Sequence, residues 1–346
     1  MMSAVDRTNK GQSATRNERG MSLAELLVVL ALMSIVGLIF SQLYIGTIRT
    51  TMFLESHNDL ASFGQRAVNT IKLEVMQSRR IFKNDPTGNS YLGALALPSS
   101  WPMLPNSRLP RVDANGEFRP DLPTEQRTGN SFLSVRELEA ITTTVDHDAD
   151  ASTADVDYLA NVYRFQLWYL TSRSDKPIKP YDYALDLIEF KSIRYADYVQ
   201  LSGLSETFRT EVAKVLYAEN VRFAWDPTQD ADSAFYQIDS AGTMTALADH
   251  KIPADEVRNL MPQLLGGRIS GAMDYSIGIT GSPELETKDP VSILAQKNPP
   301  FPGGFEVQVI GTTGARQAML RLMLVAEYHD RLTSRANTVI VTFAEY

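Results

Sequence analysis

The feature that most constrains this chain is an uninterrupted apolar segment near its N-terminus. Residues 26–45 contain no charged side chain and no proline, and only two serines and one glutamine interrupt the apolar pattern. As a helix rising ~1.5 Å per residue, this segment measures about 30 Å, the thickness of the hydrocarbon core of a bilayer. The sequence therefore predicts a membrane-spanning helix at residues 26–45.

An acidic residue, Glu25, lies directly before this apolar segment. An ionised side chain in mid-membrane costs about 2.5–3.5 kcal/mol, and less near the interface. Two interpretations follow. Either Glu25 lies among the headgroups beside an ordinary single-pass anchor, or a specific partner offsets the cost of its burial.

The order of residues around Glu25 favours a specific partner. From Gly20 to Leu32 the sequence reads GMSLAELLVVLAL, and a basic leader precedes it. This arrangement resembles the class III signal of type IV prepilins and type II secretion pseudopilins. The resemblance implies that a prepilin peptidase cleaves between Gly20 and Met21 and methylates the amine of Met21. It also implies that this amine and the Glu25 carboxylate form contacts between neighbouring subunits. Met21 departs from the phenylalanine usual at that position.

A long helix is predicted beyond the apolar segment, because no proline occurs between Met21 and Pro86. We expect a cleaved leader at residues 1–20 and a helix at residues 21–83, which is amphipathic over 46–83. The exported head then comprises residues 84–346. The second half of the helix carries an apolar stripe with spacings of three, four and seven residues. Its members are Leu60, Phe63, Ala67, Ile71, Val75 and Phe82.

The head has a strand-rich pattern, which predicts an α+β fold. We expect a pilin-like architecture, with the long helix packed on an antiparallel β-sheet. Proline-rich stretches predict loop insertions near residues 98–157 and 281–304. Strands are predicted at Tyr91–Leu97 and at 162–170, 185–195, 220–225 and 234–238, a helix at 205–219, and a C-terminal hairpin of residues 320–328 and 337–345.

One acidic loop has the spacing of a metal site. Its aspartates occupy the first, third, fifth and twelfth places of an EF-hand-like calcium loop. Ala151 replaces the glycine of that loop, and its last ligand is aspartate rather than glutamate. A calcium site and a solvated acidic loop are both open interpretations, and these departures favour the solvated loop. No cofactor is required by the sequence. Asp146, Asp148, Asp150 and Asp157 are the candidate ligands at these four places, and Asp155 is an alternative ligand.

Charge and cysteine content limit the partners and the topology. The chain has a net charge of -8 and no cysteine, which excludes disulfides and argues against nucleic acid as the main partner. Basic residues are concentrated before the apolar segment, so the N-terminus is predicted to be cytoplasmic and the head periplasmic. We therefore expect a single-pass inner-membrane protein. The basic residues of the leader are Arg7, Lys10, Arg16 and Arg19.

Function is predicted to be structural rather than enzymatic, since no catalytic motif with a diagnostic spacing occurs. The resemblance implies other pilin or pseudopilin subunits as partners. The head is bulkier than that of typical major pilins, which favours a minor subunit in a priming or tip complex. The segment NVRFAWDP from Asn220 and the terminal hairpin resemble PilW-type minor pilins or the J-type pseudopilin. The alternative is a membrane-anchored periplasmic ligand-binding or enzymatic domain with a non-pilin anchor.

Overall fold

The computed structural model of the chain describes residues 22–105, 107–118, 128–138, 141–145, 156–173, 184–260, 274–277, 304–328 and 331–345. The chain divides into two compact units, residues 1–54 and 55–346. The helices are α1 (Leu23–Met76), α2 (Pro86–Ala94), α3 (Tyr198–Ser202) and α4 (Glu206–Ala218). The strands are β1 (Ser78–Ile81), β2 (Val112–Asp113), β3 (Thr128–Gly129), β4 (Phe132–Glu137), β5 (Ile141–Val145), β6 (Val156–Ala160), β7 (Val162–Arg173), β8 (Ala184–Asp197), β9 (Phe223–Trp225), β10 (Phe235–Ile238), β11 (Met244–Leu247), β12 (Ala254–Asn259), β13 (Asp274–Ile277), β14 (Phe305–Ile310), β15 (Arg316–Tyr328) and β16 (Arg331–Phe343).

The described part of the first unit is the beginning of α1, preceded by Ser22. Residues 22–52 are all exposed, although most of them are apolar. The apolar side chains surround the helix and do not form a single stripe. A helix of this kind belongs in a membrane or in the interior of a larger assembly.

In the second unit, the last turns of α1 pack on the sheet through one apolar face. This face is the stripe predicted from the sequence, and its members pack against strands from β1 to β16. Burial of a stripe with helical periodicity is the usual reason that such a helix is stable. The buried stripe residues are Leu60, Phe63, Ala67, Val68, Ile71 and Val75.

The end of α1 corrects one prediction. The helix ends at Met76 and not at residue 83, because Ser78–Ile81 pair with β4 as strand β1. Ile81 joins the core that packs on α1, whereas Phe82 joins the core on the opposite face of the sheet. Successive residues of a strand point to opposite faces, so Phe82 does not belong to the helical stripe.

Within the described residues, fourteen strands form one sheet, and β5 and β6 form a separate two-stranded ribbon. The central strand order is β1-β4-β7-β8-β13-β15, and β15 also pairs with β14 and β16. The pairs are antiparallel except for β8 with β9 and β2 with β14. The long helix and this mixed sheet confirm the predicted α+β, pilin-like fold.

The face of the sheet opposite α1 carries an aromatic core. Phe165 of β7 lies at its centre, with the ring centroid of Trp225 at 5.2 Å and that of Tyr195 at 5.4 Å. Helix α2 contributes Tyr91, whose hydroxyl accepts a hydrogen bond from Trp225 Nε1 at 3.0 Å. Tyr91 and Trp225 are therefore core residues whose polar atoms bond to each other inside the head.

Helix α2 corrects the predicted strand at Tyr91–Leu97. Asp85 caps this helix by accepting a hydrogen bond from the Gly88 N–H at 2.8 Å, and Pro86 occupies a first-turn position. Proline is compatible with the first turn because its missing N–H has no partner there in any helix. Tyr91 to Ala94 are therefore the end of a helix that starts at Pro86, and not part of a strand.

The predicted insertion near 98–157 is also corrected in part. Strand β4 comes from this stretch, and it pairs with both β1 and β7 inside the main sheet. The predicted insertion near 281–304 lies outside the described residues, apart from Gly304. The predicted strands at 162–170, 185–195 and 234–238 are confirmed as β7, β8 and β10, and residues 220–225 contain β9. The predicted helix with Ser205 as its N-cap is α4.

The C-terminal hairpin is confirmed and is longer than predicted. Strands β15 and β16 pair from Arg316 with Phe343 to Tyr328 with Arg331. Beyond β16, Glu345 connects the ends of the sheet: its Oε1 accepts a hydrogen bond from the Ile81 N–H at 3.2 Å, and its Oε2 one from Arg316 Nε at 2.9 Å. The last described residue of the chain therefore ties β1 to β15.

Candidate functional site

The start of α1 contains the predicted assembly residue Glu25. The Ser22 N–H donates to Glu25 Oε2 at 2.9 Å, and the Glu25 N–H donates to Ser22 Oγ at 3.3 Å. This reciprocal pair is a capping box, in which two N–H groups at the start of a helix are satisfied by side chains. Gly20 and Met21, the predicted cleavage junction, lie outside the described residues.

The capping box was missed in the sequence, although its signal is present. A serine followed three residues later by glutamate, just before an apolar run, is its usual signature. The Glu25 carboxylate also lies where the helix dipole favours negative charge. Glu25 therefore stabilises its own helix, in addition to the intersubunit role that the resemblance implies.

The helix that follows has the length and composition of a membrane span. Leu23–Met52 comprises 30 residues, and no part of it is buried inside the chain. Four of its hydroxyl groups bond back to carbonyl oxygens one turn earlier, which satisfies these four donors in an apolar surrounding. These bonds are Ser34 to Leu30 at 2.8 Å, Thr47 to Leu43 at 2.8 Å, Thr50 to Gly46 at 2.9 Å and Thr51 to Thr47 at 3.0 Å.

The acidic loop is described only at its end. Asp146, Asp148, Asp150 and Asp155 lie outside the described residues. Asp157 is exposed in β6, opposite Thr144 of β5. Among the described residues, no group of three or more acidic or histidine side chains is arranged to hold a metal ion. The calcium site stays a prediction.

His250 is the histidine whose surroundings the structure describes. Its Nε2 lies 3.1 Å from the Tyr195 hydroxyl, and its ring lies 4.8 Å from Phe223 and 4.9 Å from Phe235. Burial among these rings lowers the pKa of His250, because it disfavours the charged imidazolium. The residue is packed as part of the aromatic core.

A cavity of about 610 Å³ opens at the junction of α1, β1 and β4. An Arg79–Glu137 ion pair lies at its wall, together with the aliphatic side chains of Met76 and Leu138. Neither a nucleophile paired with a base nor a metal-ligating cluster occurs among its described lining residues.

The comparison with known families singles out the N-terminus. Residues 15–41 match the family model of the prokaryotic N-terminal methylation motif, and this range contains Gly20, Met21 and Glu25. No curated protein and no solved structure matches the chain.

The motif and the exposed apolar helix together define a class. The chain is a type IV pilin-like protein, a subunit of the pilin or pseudopilin type. The motif implies processing by prepilin peptidase and assembly with other pilins. It therefore suggests a structural subunit rather than an enzyme. The apolar helix fits a single-pass membrane anchor.

Proposed function

We propose that this chain is a minor pilin or minor pseudopilin that enters a type IV pilus or type II secretion pseudopilus through its N-terminal helix. The proposal rests on one observation: the methylation motif, the Ser22–Glu25 capping box and an exposed apolar helix of 30 residues occur together at the same N-terminal segment. Prepilin peptidase cleaves between Gly20 and Met21 and methylates the amine of Met21. The head lies in the periplasm and carries no catalytic activity.

The physical basis of assembly is the transfer of α1 from lipid to the filament interior. Lipid tails are as apolar as the helix surface, so this transfer gains little from the hydrophobic effect, and polar contacts select the neighbour. The amine of Met21 and the Glu25 carboxylate supply such a contact between adjacent subunits. A mature head of residues 84–346 with a sheet this large is too bulky to repeat at every filament position, which favours a place in a priming or tip complex.

The proposal is tested by the intact mass and N-terminal analysis of the membrane-extracted chain. The wild type should begin at N-methylated Met21, and Gly20→Ala should retain the leader, because the peptidase requires the glycine before the cleaved bond. Ser13→Ala is the matched control and should be processed normally, because it changes the leader outside the matched motif. An uncut wild-type chain, or one cut after the apolar helix, would contradict the proposal and leave an anchored periplasmic module.

A further inference from the structure

Gln42 is the one amide side chain in the apolar segment of residues 26–45. It is exposed in α1, and within the described residues its amide forms no hydrogen bond. The hydroxyl groups of Ser34 and Thr47, by contrast, each donate to a carbonyl oxygen one turn earlier at 2.8 Å. An amide offers two N–H donors and an acceptor oxygen, and leaving them unpaired in an apolar surrounding costs free energy. The helix itself therefore does not satisfy the polar group of Gln42.

The depth of Gln42 limits the partners that its amide can reach. Gln42 follows Leu26 by 16 residues, which places it about 24 Å into a hydrocarbon core about 30 Å thick. While α1 is in the membrane, a side chain of this length extends toward the headgroups on the nearer side. The interior of a filament contains no headgroups, so another subunit has to supply the partner there. The need for a partner helix therefore arises with the assembly proposed above.

The surface around Gln42 lets a second helix approach closely. Gly46 lies one turn after Gln42 on the same side of α1, since residues four apart are neighbours on a helix. A Cβ on Gly46 would meet no atom within 4 Å, so this side is open. One turn before Gln42, Leu38 is 64% exposed. Small residues allow the short backbone separation at which side chains form hydrogen bonds between membrane helices. Gln42 therefore lies beside a point at which a second helix can come close.

We propose that the Gln42 amide is a second polar contact in assembly, which binds a polar side chain on the apolar N-terminal helix of a neighbouring pilin-type subunit. The inference rests on the proposed function and deepens it. The partner group is a hydroxyl or an amide, because an isolated charge at this depth is costly. Glu25 and Gln42 are 17 residues apart, about 26 Å along α1. A neighbour must therefore match polar contacts near both ends of the segment.

Two variants separate a contact with one neighbour from a general effect of polarity. Gln42→Leu removes the amide and leaves an apolar side chain of similar size, so membrane insertion is not impaired. Gln42→Leu combined with Leu43→Gln keeps the composition and shifts the depth by only about 1.5 Å, but it moves the amide by about 100° around the helix. Ser41→Ala is the control, because it removes the polar group next to Gln42. All variants are made in the full-length chain, in cells that contain the other subunits of the filament.

The measured quantity is the fraction of processed chain that is recovered in sheared filaments. Gln42→Leu and the variant with the moved amide should both lower this fraction about three- to tenfold, the loss expected for one hydrogen bond between membrane helices. Ser41→Ala should match the wild type. N-terminal mass analysis should show Met21 as the first residue in every variant, because the cleavage junction is unchanged.

The partner is identified by photo-cross-linking from Leu38, on the same side of α1 as Gln42. Leu38 is replaced by the photoreactive residue benzoylphenylalanine, and the adduct is analysed by mass spectrometry. The adduct should contain a peptide from the N-terminal helix of a subunit with its own methylation motif. The yield of this adduct should fall in Gln42→Leu by the same factor as the recovery in filaments.

Wild-type recovery of both Gln42→Leu and the variant with the moved amide would overturn the proposal. Loss in Gln42→Leu with wild-type recovery of the moved amide would also overturn it, because the amide would then act through its depth and not through one neighbour. An adduct from Leu38 with lipid alone, or with a protein that lacks the motif, would have the same meaning. A wild-type chain that is not cut between Gly20 and Met21 would refute the proposed function itself, whereas the other outcomes refute only the role of Gln42.

Discussion

At Glu25, one carboxylate serves both its own helix and the proposed neighbour. The capping box uses Oε2 to accept the Ser22 N–H. An ionised carboxylate has about four acceptor positions, so the cap leaves room for an amine from another subunit. The two roles do not exclude each other, and they can be separated by mutation.

Glu25→Gln and Ser22→Ala form a matched pair of variants. Glutamine can replace glutamate in a capping box, so Glu25→Gln keeps the cap and removes the charge. Ser22→Ala keeps the charge and weakens the start of the helix by about 0.5–2 kcal/mol. We expect Glu25→Gln to abolish incorporation into the sheared filament fraction and Ser22→Ala to retain it, with N-terminal processing checked by mass. Equal incorporation of the two variants would refute a role for the charge.

Glu306 of β14 should destabilise the head progressively as the pH rises from 4.5 to about 7. Burial raises the pKa of Glu306 to about 7, and the charge of Arg321, whose Nη1 is 3.9 Å from the carboxylate, offsets this only in part. Between pH 4.5 and about 7 the folded head binds a proton that the unfolded chain has released. The contribution of Glu306 to the free energy of unfolding therefore falls across this window, by up to about 3 kcal/mol.

This pH dependence is measured by urea unfolding of the detergent-solubilised chain, followed by tryptophan fluorescence at pH 5, 6, 7 and 8. Glu306→Gln should show a smaller loss of stability between pH 5 and pH 8 than the wild type. Glu256→Gln, at an exposed position of β12, is the control and should follow the wild type. Parallel pH profiles for Glu306→Gln and the wild type would contradict the assignment.

Among the elements, the contact of α1 with β16 depends on a glycine. A Cβ on Gly64 would lie 2.7 Å from Asn337 Cγ and 3.0 Å from Leu324 Cδ1. In an open helix, Gly→Ala stabilises by roughly 0.5–1 kcal/mol. Here overpacking should outweigh that gain, and Gly64→Ala should lower the free energy of unfolding by about 1–3 kcal/mol.

The double variant Gly64→Ala with Asn337→Ala tests this explanation. Removing the amide group that the new methyl meets should recover most of the lost stability, as measured by urea unfolding in detergent. Gly93→Ala is the control for helix propensity, because a Cβ there meets no atom within 4 Å. If Gly64→Ala is at least as stable as the wild type, the close approach of helix and strand is not required.

The boundaries of the elements show where sequence reasoning succeeded and where it failed. Periodicity predicted α1, β7, β8 and the terminal hairpin, because their burial follows one local pattern. The end of α1 was missed because Phe82 lies seven residues after Val75 and fits the helical pattern as well as a strand. Pairing of Ser78–Ile81 with β4 decided the outcome, and that partner is distant in the sequence. The start of α2 could have been predicted, since Asp85 and Pro86 are local helix-start signals.

At the scale of the whole molecule, the class and the architecture could be predicted from the sequence, but the polar contacts between α1 and the sheet could not. The apolar segment and Glu25 indicated the pilin-like class without any knowledge of the head. In contrast, the bonds from Glu74 to Gln166 and Lys191 join residues 92 and 117 positions apart. No local pattern distinguishes Glu74 from an exposed glutamate such as Glu55, so such contacts become visible only in the folded structure.

The bond between Glu345 and the Ile81 N–H has a consequence for the order of synthesis. These residues are 264 positions apart, and the stripe of α1 is buried in part by β15 and β16, which follow the other strands in the sequence. The part of the stripe that is covered by β15 and β16 therefore stays exposed until these two strands have been synthesised and have folded onto the helix. Contacts of such long sequence separation form slowly, and exposed apolar surface favours aggregation in the meantime. The last two strands of the head therefore determine when this apolar surface is removed from water.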